Sequence, residues 1–295
     1  MLKENNIYLG DCLELMKDIP DKSIDMILCD LPYGTTACKW DVIIPFNKYI
    51  VEKIGNKEKY VYQEEYVSKR FKEGIYNYPK IIEEFNNLAK DGLWEQYKRI
   101  IKDNGAIVLT ASQPFTSALI MSNLKMFKYE WIWHKSKCGS AFTSKFRPQQ
   151  KHENVVVFGK GKIKYNPQMV PGEPYYRKRK SNKNSLKLNN HKLGVISESE
   201  TINSGERYPS TVQYFQQKWR RQDQLHPTQK PVSLFEYLIK TYTNEGDVVL
   251  DNCAGSGTTA IACININRNY ILMEQEEEYI GIINKRIESH IKKVG

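Results

Sequence analysis

No apolar stretch in this sequence approaches the roughly 18 residues that a bilayer span requires. The opening residues, Met1-Leu2-Lys3-Glu4-Asn5-Asn6, lack the apolar core of a signal peptide. A soluble cytoplasmic protein without membrane contact is therefore expected. Cysteine is scarce: the six, at positions 12, 29, 38, 138, 253 and 263, include no C-x-x-C pair. Neither a zinc site, nor any other metal, nor a disulfide framework is expected. The thiols read as small buried hydrophobes in a reducing compartment. No internal repeat is visible, which sets solenoids aside.

What the chain does have is length, apolar content and unevenly placed charge. Its 295 residues, 40% hydrophobic, allow one large α/β domain with insertions or two modest domains. The formal net charge is +10, and residues 160–225 alone hold 14 Lys plus Arg against 5 Asp plus Glu. A solvated basic face is the plain reading of such a run. Interleaved Tyr, Phe, Trp and Gln favour a surface that meets phosphates and base edges.

Short apolar runs alternate with helical patterns. Ile24–Cys29 ends at Asp30, and Ala106–Thr110 follows a helix-like stretch, Leu93–Lys102. Gly105 is placed as a helix C-cap, and an amphipathic helix over Ile81–Lys90 is expected to close at Gly92. Tyr129–Trp133 and Asn154–Phe158 are further strand candidates. Near the end, Asp247–Leu250 runs into Asp251 and Tyr270–Met273 into Glu274, with a helix between them after Gly255 and Gly257. Strand, helix, strand at this spacing is a βαβ unit, and the alternation implies a doubly wound, mostly parallel Rossmann-like α/β sheet. Two stretches break the rhythm: 47–92, rich in Lys, Glu and Tyr, and the basic segment 160–225. Both read as excursions from the sheet.

Two motifs carry chemistry. Asp30-Leu31-Pro32-Tyr33-Gly34 follows a buried strand, at the end where open α/β sheets bind ligands; a plain turn with Asp30 capping its own backbone is the alternative. Asp251-Asn252-Cys253-Ala254-Gly255-Ser256-Gly257-Thr258-Thr259 follows another. Its small residues let a loop pass close to a ligand, with N–H groups aimed from a helix start. A carboxylate at Glu274 suits the two hydroxyls of a ribose. No Gly-Lys-Ser/Thr follows, so this is not a Walker phosphate cradle. Asp251 repels a pyrophosphate and welcomes a cationic ligand end, which favours S-adenosylmethionine over a nicotinamide dinucleotide.

In the order of its motifs the chain resembles the permuted, β-type amino-methyltransferases of bacterial and phage DNA. Gly10-Asp11-Cys12-Leu13 before the first motif and His226-Pro227-Thr228-Gln229-Lys230-Pro231 before the second add to the match. The resemblance implies a class I methyltransferase sheet over 1–159 and 226–295, with an insertion near 47–92 and a target-recognition region at 160–225. It implies S-adenosylmethionine bound by Asp11, Cys12, Asp30, Thr228, Lys230, Asp251, Ala254, Gly255, Ser256, Gly257, Thr258, Thr259 and Glu274. Of these, Asp11 would face the adenine ring, while Thr228 and Lys230 would reach the methionine carboxylate. A helix N-cap at Asp11 and a solvated lysine at 230, with Pro231 opening a helix, are the alternatives. Asp30, Leu31, Pro32 and Tyr33 would be catalytic. The family usually has Pro where Leu31 stands; only the backbone carbonyl is needed there.

In the mechanism so implied, the Asp30 carboxylate and the Leu31 carbonyl accept the two hydrogens of an exocyclic amine, while Tyr33 stacks on a base flipped out of duplex DNA. Asp30 favours adenine N6 over cytosine N4, whose enzymes tend to carry Ser. Arg177, Lys178, Arg179, Arg207, Gln216, Gln217, Arg220 and Arg221 are candidates for contacting DNA. The resemblance also allows a homodimer. An N4-cytosine enzyme of the same fold, an RNA or protein-glutamine methyltransferase, and a DNA-binding module without catalysis are the rival readings. All of this requires the strand ends at Asp30 and at the Gly255–Gly257 turn to lie side by side.

Overall fold

The computed structural model describes residues 1–294 apart from 36, 37, 39, 40, 55, 56, 140–142, 180–186, 189, 190, 193–197 and 218–228. In chain order, the first half contains β1 (Asn6–Leu9), α1 (Cys12–Leu15), β2 (Ile24–Cys29), β3 (Tyr49–Ile54), β4 (Lys57–Tyr62), α2 (Gln63–Lys72), α3 (Tyr78–Leu88) and α4 (Leu93–Ile100). There follow β5 (Ile101–Ala111), α5 (Phe115–Ser122), β6 (Phe127–Gly139) and β7 (Gln150–Phe158). Short strands come next: β8 (Val170–Pro171), β9 (Tyr175–Arg179), β10 (Lys187–Leu188), β11 (His191–Lys192), β12 (Ser199–Asn203) and β13 (Glu206–Arg207). The chain then runs through β14 (Val212–Phe215), α6 (Val232–Tyr242), β15 (Val248–Asp251), α7 (Thr258–Asn265), β16 (Asn269–Glu274) and α8 (Glu277–Val294). Contacts divide it into a larger unit, Met1–Asn166 with Thr211–Gly295, and a smaller one, Pro167–Ser210.

The larger unit is built on an eight-stranded sheet in the order β1-β16-β15-β2-β5-β7-β6-β14. All neighbours are parallel except β7, which runs antiparallel to both β5 and β6. All six residues of β2 are buried, as a strand covered on both faces demands. Alternation sends Ile27, Cys29, Ile107, Leu109 and Leu250 to one face, where Leu93, Trp94 and Tyr97 of α4 and Phe115 of α5 pack. Met26, Leu28, Val108 and Val249 face the other side, under Leu234, Phe235 and Leu238 of α6 and Ala260 of α7. Each such aliphatic chain removed from water contributes about 1.5–3 kcal/mol. The expected doubly wound sheet is therefore present.

Several local expectations are corrected. Gly105 does not cap a helix: α4 ends at Ile100, and Gly105 lies inside β5. The register of β2 on β5 shifts between Ile24 and Met26, and a Cβ at 105 would stand 2.8 Å from the Asp25 carbonyl oxygen. Close approach, not left-handed geometry, requires this glycine. Gly92 does not close α3, which ends at Leu88; it is the N-cap of α4, its N–H received by Glu95 at 3.1 Å. The excursion at 47–92 is not free of core, since Tyr49, Val61, Ile81 and Phe85 are buried. Of the cysteines, Cys138 is exposed and Cys38 and Cys253 are partly exposed; only Cys12, Cys29 and Cys263 are buried. β14 pairs with β6 of the main sheet, and the Gln217 N–H donates to Ser136 Oγ of β6; the smaller unit spans Pro167–Ser210.

Candidate active site

Four adjacent parallel strands, β1, β16, β15 and β2, each end at or just before a carboxylate: Asp11, Glu274, Asp251 and Asp30. The register fixes the order, pairing Leu9 with Glu274, Asp251 with Leu272 and Leu250 with Ile27. All four acids line one cavity of about 380 Å³, along with Leu31, Pro32, Tyr33, Cys12, Lys230, Ala254, Gly255, Ser256 and Thr258. The two strand ends on which the sequence reading depended thus stand next to each other. Gly257 and Thr259 are not in the lining. Gly257, at φ 73°, is the N-cap of α7, where a Cβ would stand 2.7 Å from the Ile283 side chain, and Thr259 Oγ1 donates to Asp251.

Asp30 is held from three sides. Its Oδ1 accepts from Tyr33 Oη at 2.8 Å and from the Thr110 hydroxyl. Its Oδ2 accepts from Lys230 Nζ at 2.5 Å. Lys230 is not the solvated lysine considered above: it is 6% exposed and also lies 3.5 Å from Glu153 Oε2. Glu153 in turn pairs through Oε1 with Lys135 at 2.8 Å. Burial works to lower the Lys230 pKa, but Asp30 and Glu153 outweigh it and hold the ammonium above its usual value. Burial, then the Asp30 charge, keeps the Tyr33 phenol protonated. The Tyr33 ring stacks on Phe115 with centroids 5.0 Å apart.

The other acids are also constrained. Asp11 is the N-cap of α1, accepting from the Leu13 and Glu14 N–H groups, so the capping alternative describes its bonds while its side still faces the cavity. Asp251 is 3% exposed, and burial raises its pKa to about 7 against the opposing bonds from Thr259 and the Cys253 N–H. Glu274 accepts from the N–H groups of Gly255, Gln275 and Glu276, and burial again raises its pKa. Carboxylates pushed toward neutrality by desolvation favour a ligand that brings positive charge and hydroxyl donors. The donor set therefore fits a sulfonium amino acid attached to a ribose. Beneath it, Asn252 bridges the Cys12 and Cys253 sulfurs at 3.5 Å each, and burial raises the Cys29 pKa to about 12.

Sequence reasoning missed several residues. Thr110 is the penultimate residue of β5 and lies beside Asp30, and the pairing of Cys29 with Leu109 would have revealed it once the strand order was known. Glu153 and Lys135 come from strands whose place could not be read locally. Tyr49 and Tyr60, from the β3–β4 hairpin, line the cavity, so the excursion contributes to the site. Asp41 receives the N–H groups of Gly34 and Thr35 at 2.8 and 2.9 Å, pinning the chain after the tetrapeptide. Among the described residues no cluster of metal-ligating side chains occurs and no helix is long and apolar enough to cross a membrane.

In the smaller unit, β9 and β12 form an antiparallel ribbon exposed along nearly its whole length. Arg177 and Arg179 point to one face of it, while Lys178, on the other, is paired with Glu200 at 2.9 Å. Arg207 is occupied locally, donating to Asn203, Glu173 and Glu206 oxygens with its guanidinium 4.8 Å from the Tyr175 ring centroid. Arg220, Arg221 and Thr228 lie outside the described residues.

The chain belongs to the DNA methylase family of N6- and N4-amino methyltransferases, whose profile matches residues 24–285. It is similar to the Type II methyltransferase M2.MboI of Moraxella bovis, 28% identical over 289 residues, covering 96% of this chain and 88% of that protein. It is 25% identical over 300 residues to the Type II methyltransferase M.HpaI of Haemophilus parainfluenzae, covering 97% and 75%. Among solved structures, the complex of M1.HpyAVI with SAM matches at a TM-score of 0.55 and 22% identity, over 96% of this chain and 98% of that one. The cytosine-N4-specific PvuII DNA methyltransferase matches at 0.55 and 17%, over 97% and 87%. Both likenesses show a shared fold.

Proposed function

We propose that this chain methylates N6 of an adenine turned out of duplex DNA. It is a DNA methyltransferase by family, and S-adenosylmethionine is the methyl donor. The observation that supports amino-group methylation, common to both target bases, is the placement of Asp30 in the same cavity as the Gly255 loop and Glu274. When bound, the cofactor supplies an electrophilic methyl carbon whose sulfur leaves as a neutral thioether. The remaining difficulty is the nucleophile, because an exocyclic amine delocalises its lone pair into the ring. Among the described residues, Asp30 Oδ1 receives two hydroxyls while Oδ2 receives Lys230. Oδ2 is therefore the oxygen that accepts one amine hydrogen, with the Leu31 carbonyl accepting the other. Together they turn the nitrogen toward tetrahedral geometry and localise its lone pair. Lys230 donates to Oδ2, and Tyr33 and Thr110 fix the Asp30 rotamer through Oδ1.

The choice of adenine rests on Asp30 at the first position of the tetrapeptide; cytosine N4 is the second reading. The target-recognition region is proposed within 160–225, with Arg177 and Arg179, on one face of the exposed ribbon, among its DNA-contacting cations; a two-stranded ribbon fits a major groove. Digesting DNA from cells that express the chain, and separating the nucleosides by mass, tests the product. N6-methyladenine is expected. N4-methylcytosine in its place overturns the adenine reading and leaves the cavity chemistry standing, whereas no modified base under conditions of proven cofactor binding overturns both.

A further inference from the structure

The cation that the family resemblance implies for the cofactor's carboxylate, Lys230, is engaged by Asp30 and Glu153. A different cation reaches the cavity wall from behind. Arg286, on α8, directs Nη1 at the Ser256 carbonyl oxygen (2.7 Å), Ser256 Oγ (3.1 Å) and Thr258 Oγ1 (3.2 Å). Ser256 and Thr258 line the cavity, and Thr258 is the first residue of α7.

This guanidinium is in an unfavourable place. It is largely buried, and burial alone lowers its pKa to about 10, with no carboxylate contributing. It sits at the start of α7, where unpaired N–H groups already supply positive partial charge. A cation so placed costs free energy unless an anion answers it. The strand-end side of the cavity, by contrast, carries Asp11, Asp30, Asp251 and Glu274. One wall carries these acids, of which Asp30 is paired with Lys230, and the loop–helix junction is positive, so the ligand that suits both carries cationic groups and a single carboxylate.

We propose that Arg286 is the countercharge for the carboxylate of S-adenosylmethionine, acting through the hydroxyls of Ser256 and Thr258. The proposal rests on reading the cavity as the cofactor site. Because Arg286 donates to both hydroxyl oxygens, each hydroxyl is turned to give its own hydrogen away. That of Thr258 falls on the Lys230 carbonyl at 3.4 Å, a long contact that a carboxylate replaces with a stronger one. Arg286 is thus a positioning residue: it orients the donors and supplies charge without touching the ligand.

Calorimetry with S-adenosylmethionine and with its decarboxylated form tests this, since the two share every group but the carboxylate. The wild-type protein is expected to bind S-adenosylmethionine at least about tenfold more tightly than the decarboxylated ligand, the scale of one partly screened charge pair. Arg286→Gln should remove most of that preference by weakening S-adenosylmethionine alone, and Arg286→Lys should restore part of it. Equal affinity of the wild type for the two ligands overturns the proposal without any variant. So does an equal loss for both ligands in Arg286→Gln, which marks a merely structural arginine. If the wild type binds neither ligand, the cofactor reading of the cavity falls instead.

Discussion

The cavity at the sheet edge and the ribbon of the smaller unit treat charge in opposite ways. At the sheet edge, Lys135, Glu153, Lys230 and Asp30 form a chain of ion pairs in which each group is fixed by the next. On the ribbon, Lys178 is neutralised and Arg207 is tied to backbone oxygens, while Arg177 and Arg179 stand on one exposed face. Enclosed and mutually fixed groups provide chemistry, because their orientation is set before a substrate arrives. Exposed, unpaired cations provide attraction and adjustable contacts, and they respond to salt.

The most direct way to break this contrast is Asp30→Ala. Methyl transfer should fall about a thousandfold, the scale of losing an oriented acceptor, while calorimetric cofactor affinity and duplex binding stay within a few-fold. Transfer within about tenfold of wild type would sink the role given to Asp30. The converse change, Arg177→Ala with Arg179→Ala, should weaken duplex binding by roughly ten- to a hundredfold and lower the salt slope by about two, without changing cofactor affinity. Lys178→Ala is the control on the same strand and should do little; if it equals the double variant, the faces of the ribbon have been misassigned.

These regions also differed in what the sequence disclosed. Asp30 and Asp251 were legible because each directly follows a short apolar stretch, Met26–Cys29 and Val248–Leu250, and such runs in α/β chains end where ligands bind. Thr110, Glu153 and Tyr60 were not, since their roles depend on which strand lies beside which, and strand order is a long-range property. Gly92 and Gly105 misled for a related reason: both sit at close backbone approaches, to Asn47 and to Asp25, that local pattern does not reveal. Arg286 gave no signal, being one basic residue in an amphipathic helix until α8 is packed on the Ser256 loop. On the ribbon, composition identified the cations but not their faces.

A smaller effect sharpens the account of the fixed acceptor. Tyr33→Phe keeps the ring on Phe115 and removes one of the two hydroxyls on Asp30 Oδ1, with Thr110 still in place. A loss of about tenfold in kcat, with KM for DNA little altered, is expected from one hydrogen bond to a charged group. A change confined to KM would show instead that Tyr33 acts only on the base.

The smallest effect concerns Asp251, whose pKa is raised to about 7 by burial, from an ordinary value of 3.8. An acid with a folded-state pKa above its unfolded one binds its proton more tightly when folded. Its contribution to stability is therefore complete below the unfolded value and is lost as pH rises through the folded one. Relative to Asp251→Asn, the ligand-free wild type should lose a few degrees of melting temperature between about pH 4 and pH 7, then level off. Added cofactor should oppose this loss, because positive charge in the cavity favours the ionised acid. A difference between the two proteins that is flat across this range, or that moves in the wild type's favour with rising pH, would mean that Asp251 is already ionised by its bonds to Thr259 and Cys253. The exposed arginines of the ribbon should show no counterpart: Arg177→Ala and Arg179→Ala should shift melting equally at every pH.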